Sequence, residues 1–173
     1  GVAAGDPGCA DGPLVLERSN LLDELVHAGI PSHWEAMLKP AQLPTKLATV
    51  AEICQRLATH THRLALQQKL FAVMAGDHAC AVGTWSGAVT ALADKGSIGM
   101  IWIDAHMDSH TPETTETGNI HGMPLAALLG YGATELTQLM TTKHKLLPEH
   151  TSLIGVRSYE NGEAALQDEV ALD

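Results

Sequence analysis

Met100-Ile101-Trp102-Ile103-Asp104-Ala105-His106-Met107-Asp108 is the stretch whose reading decides the fold. It starts as a short apolar run with β-branched residues, the pattern of a strand buried on both faces in a parallel sheet. The run then breaks into two carboxylates and an imidazole, each separated from the next by one residue. In extended chain, residues i, i+2 and i+4 point to one side. Asp104, His106 and Asp108 therefore converge if the strand geometry persists. Oxygen and imidazole donors gathered beyond the carboxyl end of a parallel strand suit a hard or borderline divalent cation. An unpaired Asp104 beside the sheet core would be costly, and a cation removes that cost.

Upstream, Lys69-Leu70-Phe71-Ala72-Val73-Met74 reads as a second buried strand running into Gly76-Asp77-His78. Gly76 permits a sharp turn, after which His78 reaches the crevice that holds Asp104. Taken alone, a histidine there is more often a hydrogen-bonded structural residue than a ligand. Downstream, Thr151-Ser152-Leu153-Ile154-Gly155-Val156 reads as a third strand, followed by Arg157-Ser158-Tyr159-Glu160. Helical patterns cover residues 14–26, 45–66, 83–93, 122–129, 134–140 and 162–170, with Gly29 and Gly130 as stops. Residues 1–13 have loop chemistry. Pro31, Pro40 and the adjoining Pro44 make residues 30–43 irregular, with a short strand near 33–38. Strands alternating with helices predict an α/β domain, a mostly parallel sheet between two helical layers, over residues 1–173.

A core for one domain fits within 173 residues of which 45 % are apolar, and with aromatics at 3 % that core is chiefly aliphatic. A net charge of −10 argues against a nucleic-acid surface. Cys9, Cys54 and Cys80 lie far apart, in neither a zinc pattern nor a disulfide scaffold, so a reducing cytoplasm is the expected setting. No apolar stretch approaches the roughly 20 residues that span a bilayer, and no membrane association is expected. The chain starts at Gly1 without methionine and stops at Asp173, and both ends read as cuts through a larger domain. His60 and His62, two apart on a helix, do not share a face. Trp85 and Trp102 read as core.

A third segment with chemistry is Thr117-Gly118-Asn119-Ile120-His121-Gly122-Met123-Pro124. Its hydroxyl and amide groups can grip a carboxylate, and His121 at the mouth of a helix can move a proton. By themselves, Thr and Asn before a helix are more often caps. Taken in order, Gly76-Asp77-His78, Asp104-Ala105-His106-Met107-Asp108 and Gly118-Asn119-Ile120-His121-Gly122-Met123-Pro124 resemble the ureohydrolases, and within them the arginases. Gly8-Cys9-Ala10-Asp11-Gly12-Pro13 and Ile154-Gly155-Val156-Arg157 are similar to that family too.

The resemblance implies hydrolysis of L-arginine to L-ornithine and urea by a hydroxide bridging two Mn2+ ions. It assigns His78 and Asp108 to one ion, His106 to the other, and Asp104 to both. His121 matches the proton-shuttle histidine. Thr117 and Asn119 lie in the loop around the amino-acid end of the substrate. His110 stands where many arginases have an asparagine on the α-carboxylate, Glu160 matches an acid that meets the α-amino group, and Ser158 replaces a second acid. The chemistry fits: a cation pair activates water, and an imidazole protonates the departing amine.

The family's Asp-x-Asp motif, its guanidinium-pairing glutamate and its first strand are absent from these residues, and Asp173 is followed by nothing that completes the motif. Four of six expected protein ligands are present, so these residues alone are expected to bind metal weakly or not at all and to be inactive. The full-length protein is expected to be a homo-oligomer, trimeric or hexameric. Rival readings are a ureohydrolase acting on agmatine, formiminoglutamate or a guanidino acid, and a catalytically dead member of the fold serving as a partner or regulatory subunit. An unrelated α/β domain with one structural cation would place His78 far from Asp104.

Overall fold

The computed structural model describes residues 2–5 and 7–170. Gly1 and Asp173, on which the reading of the two ends rests, lie outside them. The helix expected over 14–26 forms as two, α1 (Gly12–Glu17) and α2 (Leu21–His27). Ser19 causes the break. Its hydroxyl donates to the Leu16 carbonyl at 2.7 Å and accepts from the Leu21 amide at 3.2 Å, competing with the helical bonds. The loop expected over 1–13 ends early, because Gly12 and Pro13 open α1.

Helix α3 (Lys46–Leu66) starts where the Thr45 hydroxyl accepts from the Ala48 amide at 3.1 Å. It ends through a left-handed Gln68, φ 57°, with the Lys69 amide donating to the Leu64 carbonyl at 3.0 Å. Residues 30–43 contain no strand. Side chains of α3 hold them instead: Arg56 donates to the Lys39 carbonyl at 2.8 Å, Glu52 accepts from the Ala41 amide at 3.3 Å, and Arg63 pairs with Glu35.

The buried stripe of α3, with Cys54, Ala58 and Thr61, packs on α4 (Cys80–Ala91). Glycines allow the two backbones to touch. A Cβ at Gly83 would lie 2.5 Å from the Cys54 carbonyl oxygen, and one at Gly87 would collide with the Thr61 hydroxyl and the Ala58 carbonyl.

Strand β1 (Met100–Ile103) is followed by α5 (Pro124–Leu129), α6 (Thr134–Thr137), β2 (Thr151–Ile154) and α7 (Asn161–Val170). The strands pair in parallel, Met100 opposite Thr151 and Ile103 opposite Ile154. Every residue of α5 is buried, and Leu125, Leu128 and Leu129 pack with Met100 and Trp102. The architecture is α/β with a small parallel sheet.

Two expectations about the sheet need correction. β1 is covered on one face only: Met100 and Trp102 are buried, whereas Ile101 and Ile103 are 67 % and 76 % exposed. Helix α5 packs on the Met100–Trp102 side, and among the described residues nothing covers the other. Residues 69–74 do not form a strand either. Phe71 and Val73 are half-buried while Leu70, Ala72 and Met74 are exposed, so a strand's alternation remains. No ladder partner completes it among the described residues. Phe71 and Val73 instead line an apolar cavity of about 620 Å3 with Leu25, Trp34, Leu57 and Leu64. No described helix is long and apolar enough to cross a membrane.

The glycine contact gives a direct test. Gly87→Ala should lower stability in urea unfolding by roughly 1–3 kcal/mol or more through overpacking. Gly12→Ala, whose Cβ would meet nothing within 4 Å, should stay within about 0.5 kcal/mol. Equal effects would show that the α3–α4 approach is looser than described.

Candidate metal centre

The site forms where β1 ends. The Asp104 amide donates to the Ile154 carbonyl at 3.0 Å, adding one bond to the ladder, and the Arg157 and Ser158 amides then both donate to the Ala105 carbonyl. Asp104 Oδ1 accepts from the His106 amide at 2.9 Å, which turns the chain out of the strand. The alternation expected through Asp108 therefore stops at Asp104. Asp108 sits in the left-handed region, φ 53°, and is 5 % exposed. The Leu125 amide at the start of α5 donates to its carbonyl at 2.9 Å.

His78 arrives from the other segment through Gly76, where a Cβ would lie 2.8 Å from the Cys9 carbonyl oxygen. Asp77 shapes this corner: its carboxylate accepts from the Ala79 amide at 3.2 Å and from the Ala3 amide at 3.1 Å. His78 Nδ1 lies 3.1 Å from Asp104 Oδ2 and 2.5 Å from Asp108 Oδ2. Its ring stacks on Trp102, centroids 4.6 Å apart and planes at 28°. The proximity of His78 and Asp104 removes the rival that set them far apart.

The ligand atoms of His78, Asp104 and Asp108 all lie within 4.8 Å of one another. His106 stands outside that group. Its Nδ1 is 3.3 Å from Asp104 Oδ1, and its side chain is largely exposed. Asp104 thus has an imidazole at each oxygen, the arrangement of a carboxylate shared between two sites.

The adjoining Asp108 carboxylate, foremost, holds the His78 imidazole above its ordinary range; burial opposes this and Asp104 adds to it. One imidazolium neutralises only one of two adjacent carboxylates. Asp108 Oδ2 is buried and has no hydrogen-bond partner of acceptable geometry, despite its contact with His78. An orphaned carboxylate oxygen, a second carboxylate and an imidazole at short range fit a divalent cation with oxygen and nitrogen preference.

A second cluster lies beyond. His110 is 8 % exposed; its Nε2 is 3.2 Å from Glu160 Oε2 and its Nδ1 is 3.2 Å from the Thr114 hydroxyl. The His110 amide donates to the Gly122 carbonyl at 3.0 Å, so the turn Ile120–Gly122 that carries His121 is stitched to the Asp108–His110 segment. His121 Nδ1 is buried without a partner. Thr117 is exposed and its hydroxyl accepts from the Asn119 amide at 3.2 Å. Ser158 contributes its amide to the Ala105 carbonyl and is exposed.

Sequence reasoning missed Glu163. It is 4 % exposed, and its two carboxylate oxygens accept from the Ser109 amide at 3.4 Å and the Glu160 amide at 3.0 Å. It thereby joins the residue after Asp108 to the start of α7. The signal was available, since an acid three residues after a helix cap is half of a capping box.

The profile of the Arginase family matches residues 2–172. The chain is similar to the arginase of Bacillus caldovelox, 44 % identical over 117 residues, covering 68 % of this chain and 38 % of that protein. It is similar to the arginase of Bacillus subtilis (strain 168), 34 % identical over 160 residues, covering 88 % of this chain and 53 % of that protein. It superposes on a crystal structure of arginase from Bacillus subtilis with a TM-score of 0.89 at 31 % identity, covering 100 % of this chain and 59 % of that one. The chain spans about half, or less, of these relatives' lengths. Fold and relatives together place the chain among arginase-like α/β folds. This chain belongs to the arginase family.

Glu163→Ala should destabilise the chain by roughly 1–3 kcal/mol, because it leaves two amides without their acceptor. Glu163→Gln, which keeps an acceptor oxygen, should cost less in the same thermal or urea unfolding assay. Identical losses would mean that the carboxylate does not bridge the two segments.

Proposed function

We propose that residues 1–173 form part of one arginase-like domain that hydrolyses L-arginine to L-ornithine and urea with two Mn2+ ions. The observation that carries this reading is the gathering of His78, Asp104 and Asp108 around an orphaned carboxylate oxygen, in a chain of the Arginase family. His78 and Asp108 would hold one ion, His106 the other, and Asp104 would serve both. Bound divalent ions supply a nucleophile at neutral pH by lowering the pKa of water.

The chain's own groups do the rest. Asp104 keeps its two oxygens toward separate imidazoles, so neither is left as an isolated buried charge. His121, with an unpartnered ring nitrogen, delivers the proton that the departing amine needs. Thr117 and Asn119 line the amino-acid end. His110 faces the substrate α-carboxylate and Glu160 its α-ammonium, and these two side chains lie next to each other. Homo-oligomeric assembly as a trimer or hexamer, with a cytoplasmic setting, belongs to the same reading.

Titration of the full-length protein with Mn2+, followed by electron paramagnetic resonance of the free ion, should show saturable binding that Asp108→Ala abolishes. Unchanged uptake by Asp108→Ala would overturn the site. In urea release by the full-length protein, L-arginine should be preferred to agmatine, since agmatine leaves the carboxylate position of His110 empty. Equal turnover of the two would move the substrate to an amine.

A further inference from the structure

Trp102 reads from the sequence as a core residue, and its burial, 4 % exposed, agrees. Two features exceed that role. Its indole lies under the His78 imidazole in a near-parallel stack. It also stands two residues before Asp104, so one face of β1 bears both the indole and the carboxylate that the imidazole meets.

Histidines in metal sites usually have their ring orientation set by a hydrogen bond at the second nitrogen. Here Nδ1 faces Asp104 and Asp108, and Nε2 has no hydrogen bond or ion pair among the described residues. The ring is partly exposed, with its side chain 40 % accessible. Both carboxylate contacts converge on the single atom Nδ1, so they anchor one edge of the ring and leave its tilt open. The flat surface beneath it supplies the second constraint.

We propose that Trp102 is a positioning residue: its indole holds the His78 imidazole with Nδ1 turned to the two carboxylates. Its consequence for ion affinity rests on the metal reading above. The orientation itself belongs to the metal-free chain. The indole face is the working part, because Nε1 of Trp102 is buried without an acceptor. The platform is rigid, since Trp102 belongs to one buried cluster with Leu125 and Leu128, and Trp85 packs against that cluster. A flat ring without the N–H would serve equally, and an aliphatic side chain would not.

Proton NMR of the metal-free chain reads the stack directly, with His78→Asn identifying the His78 ring signals. In the unchanged chain and in Trp102→Phe, the ring current should move those signals upfield of the usual histidine positions. In Trp102→Leu they should return. In the Mn2+ titration, Trp102→Leu should bind about tenfold more weakly, whereas Trp102→Phe should match the unchanged chain. Ordinary His78 positions in the unchanged chain overturn the proposal, and so does full Mn2+ affinity in folded Trp102→Leu. If Trp102→Leu does not fold, the unchanged chain and Trp102→Phe decide alone. Displaced ring signals in a full-length protein that takes up no Mn2+ would sink the metal reading and leave the positioning role standing.

Discussion

Two carboxylates held against the closed end of one strand set the terms for everything near them. Asp104 leaves β1 beside the core, and Asp108 is buried in a left-handed turn a few residues on. Their repulsion is answered by one imidazole, His78, brought from a separate segment. A single imidazolium cannot balance both acids, and the orphaned Asp108 oxygen records the deficit. A dication is the simplest species that closes that balance.

The surrounding structure keeps this unfavourable group together. α5 begins at the Asp108 carbonyl, so the turn that strains Asp108 also starts a helix whose every residue is buried. Glu163 ties the next residue to α7, and with it Glu160 and His110. On the other side, Gly83 and Gly87 let α4 lie against α3, and α4 follows directly on His78. Strain at the site is therefore supported by helix packing and backbone hydrogen bonds remote from the acids themselves.

The same arrangement leaves apolar surface without a cover among the described residues. Ile101 and Ile103 face outward from β1, and residues 69–74 carry a strand's alternation without a partner strand. Such a sheet has its unpaired edge and one bare face next to the site. The matches cover 53 % and 59 % of the relatives' lengths, and the similarity to their folds holds over the span they share.

Local chemistry determined much of this protein in advance. The apolar run at 100–103, the helical stripe from Lys46 to Leu66 capped by Thr45, and the stop at Gly130 depend on neighbours a few residues away, and they form where their patterns lie. The segments that carry acids and imidazoles were legible too, because a charged group rarely follows so apolar a strand without a reason. The tertiary structure alone decided which of them meet. His106 alternates with Asp104 and Asp108 in sequence, yet the turn after Asp104 places it outside their group. Residues 69–74 read as a strand, yet strand pairing needs a partner that no local pattern supplies. The Ser109–Glu163 bond and the Trp102–His78 stack stayed hidden because their partners are 54 and 24 positions apart. Propensity acts over a turn or two of chain, whereas a buried charge is satisfied by whichever distant groups the packing delivers.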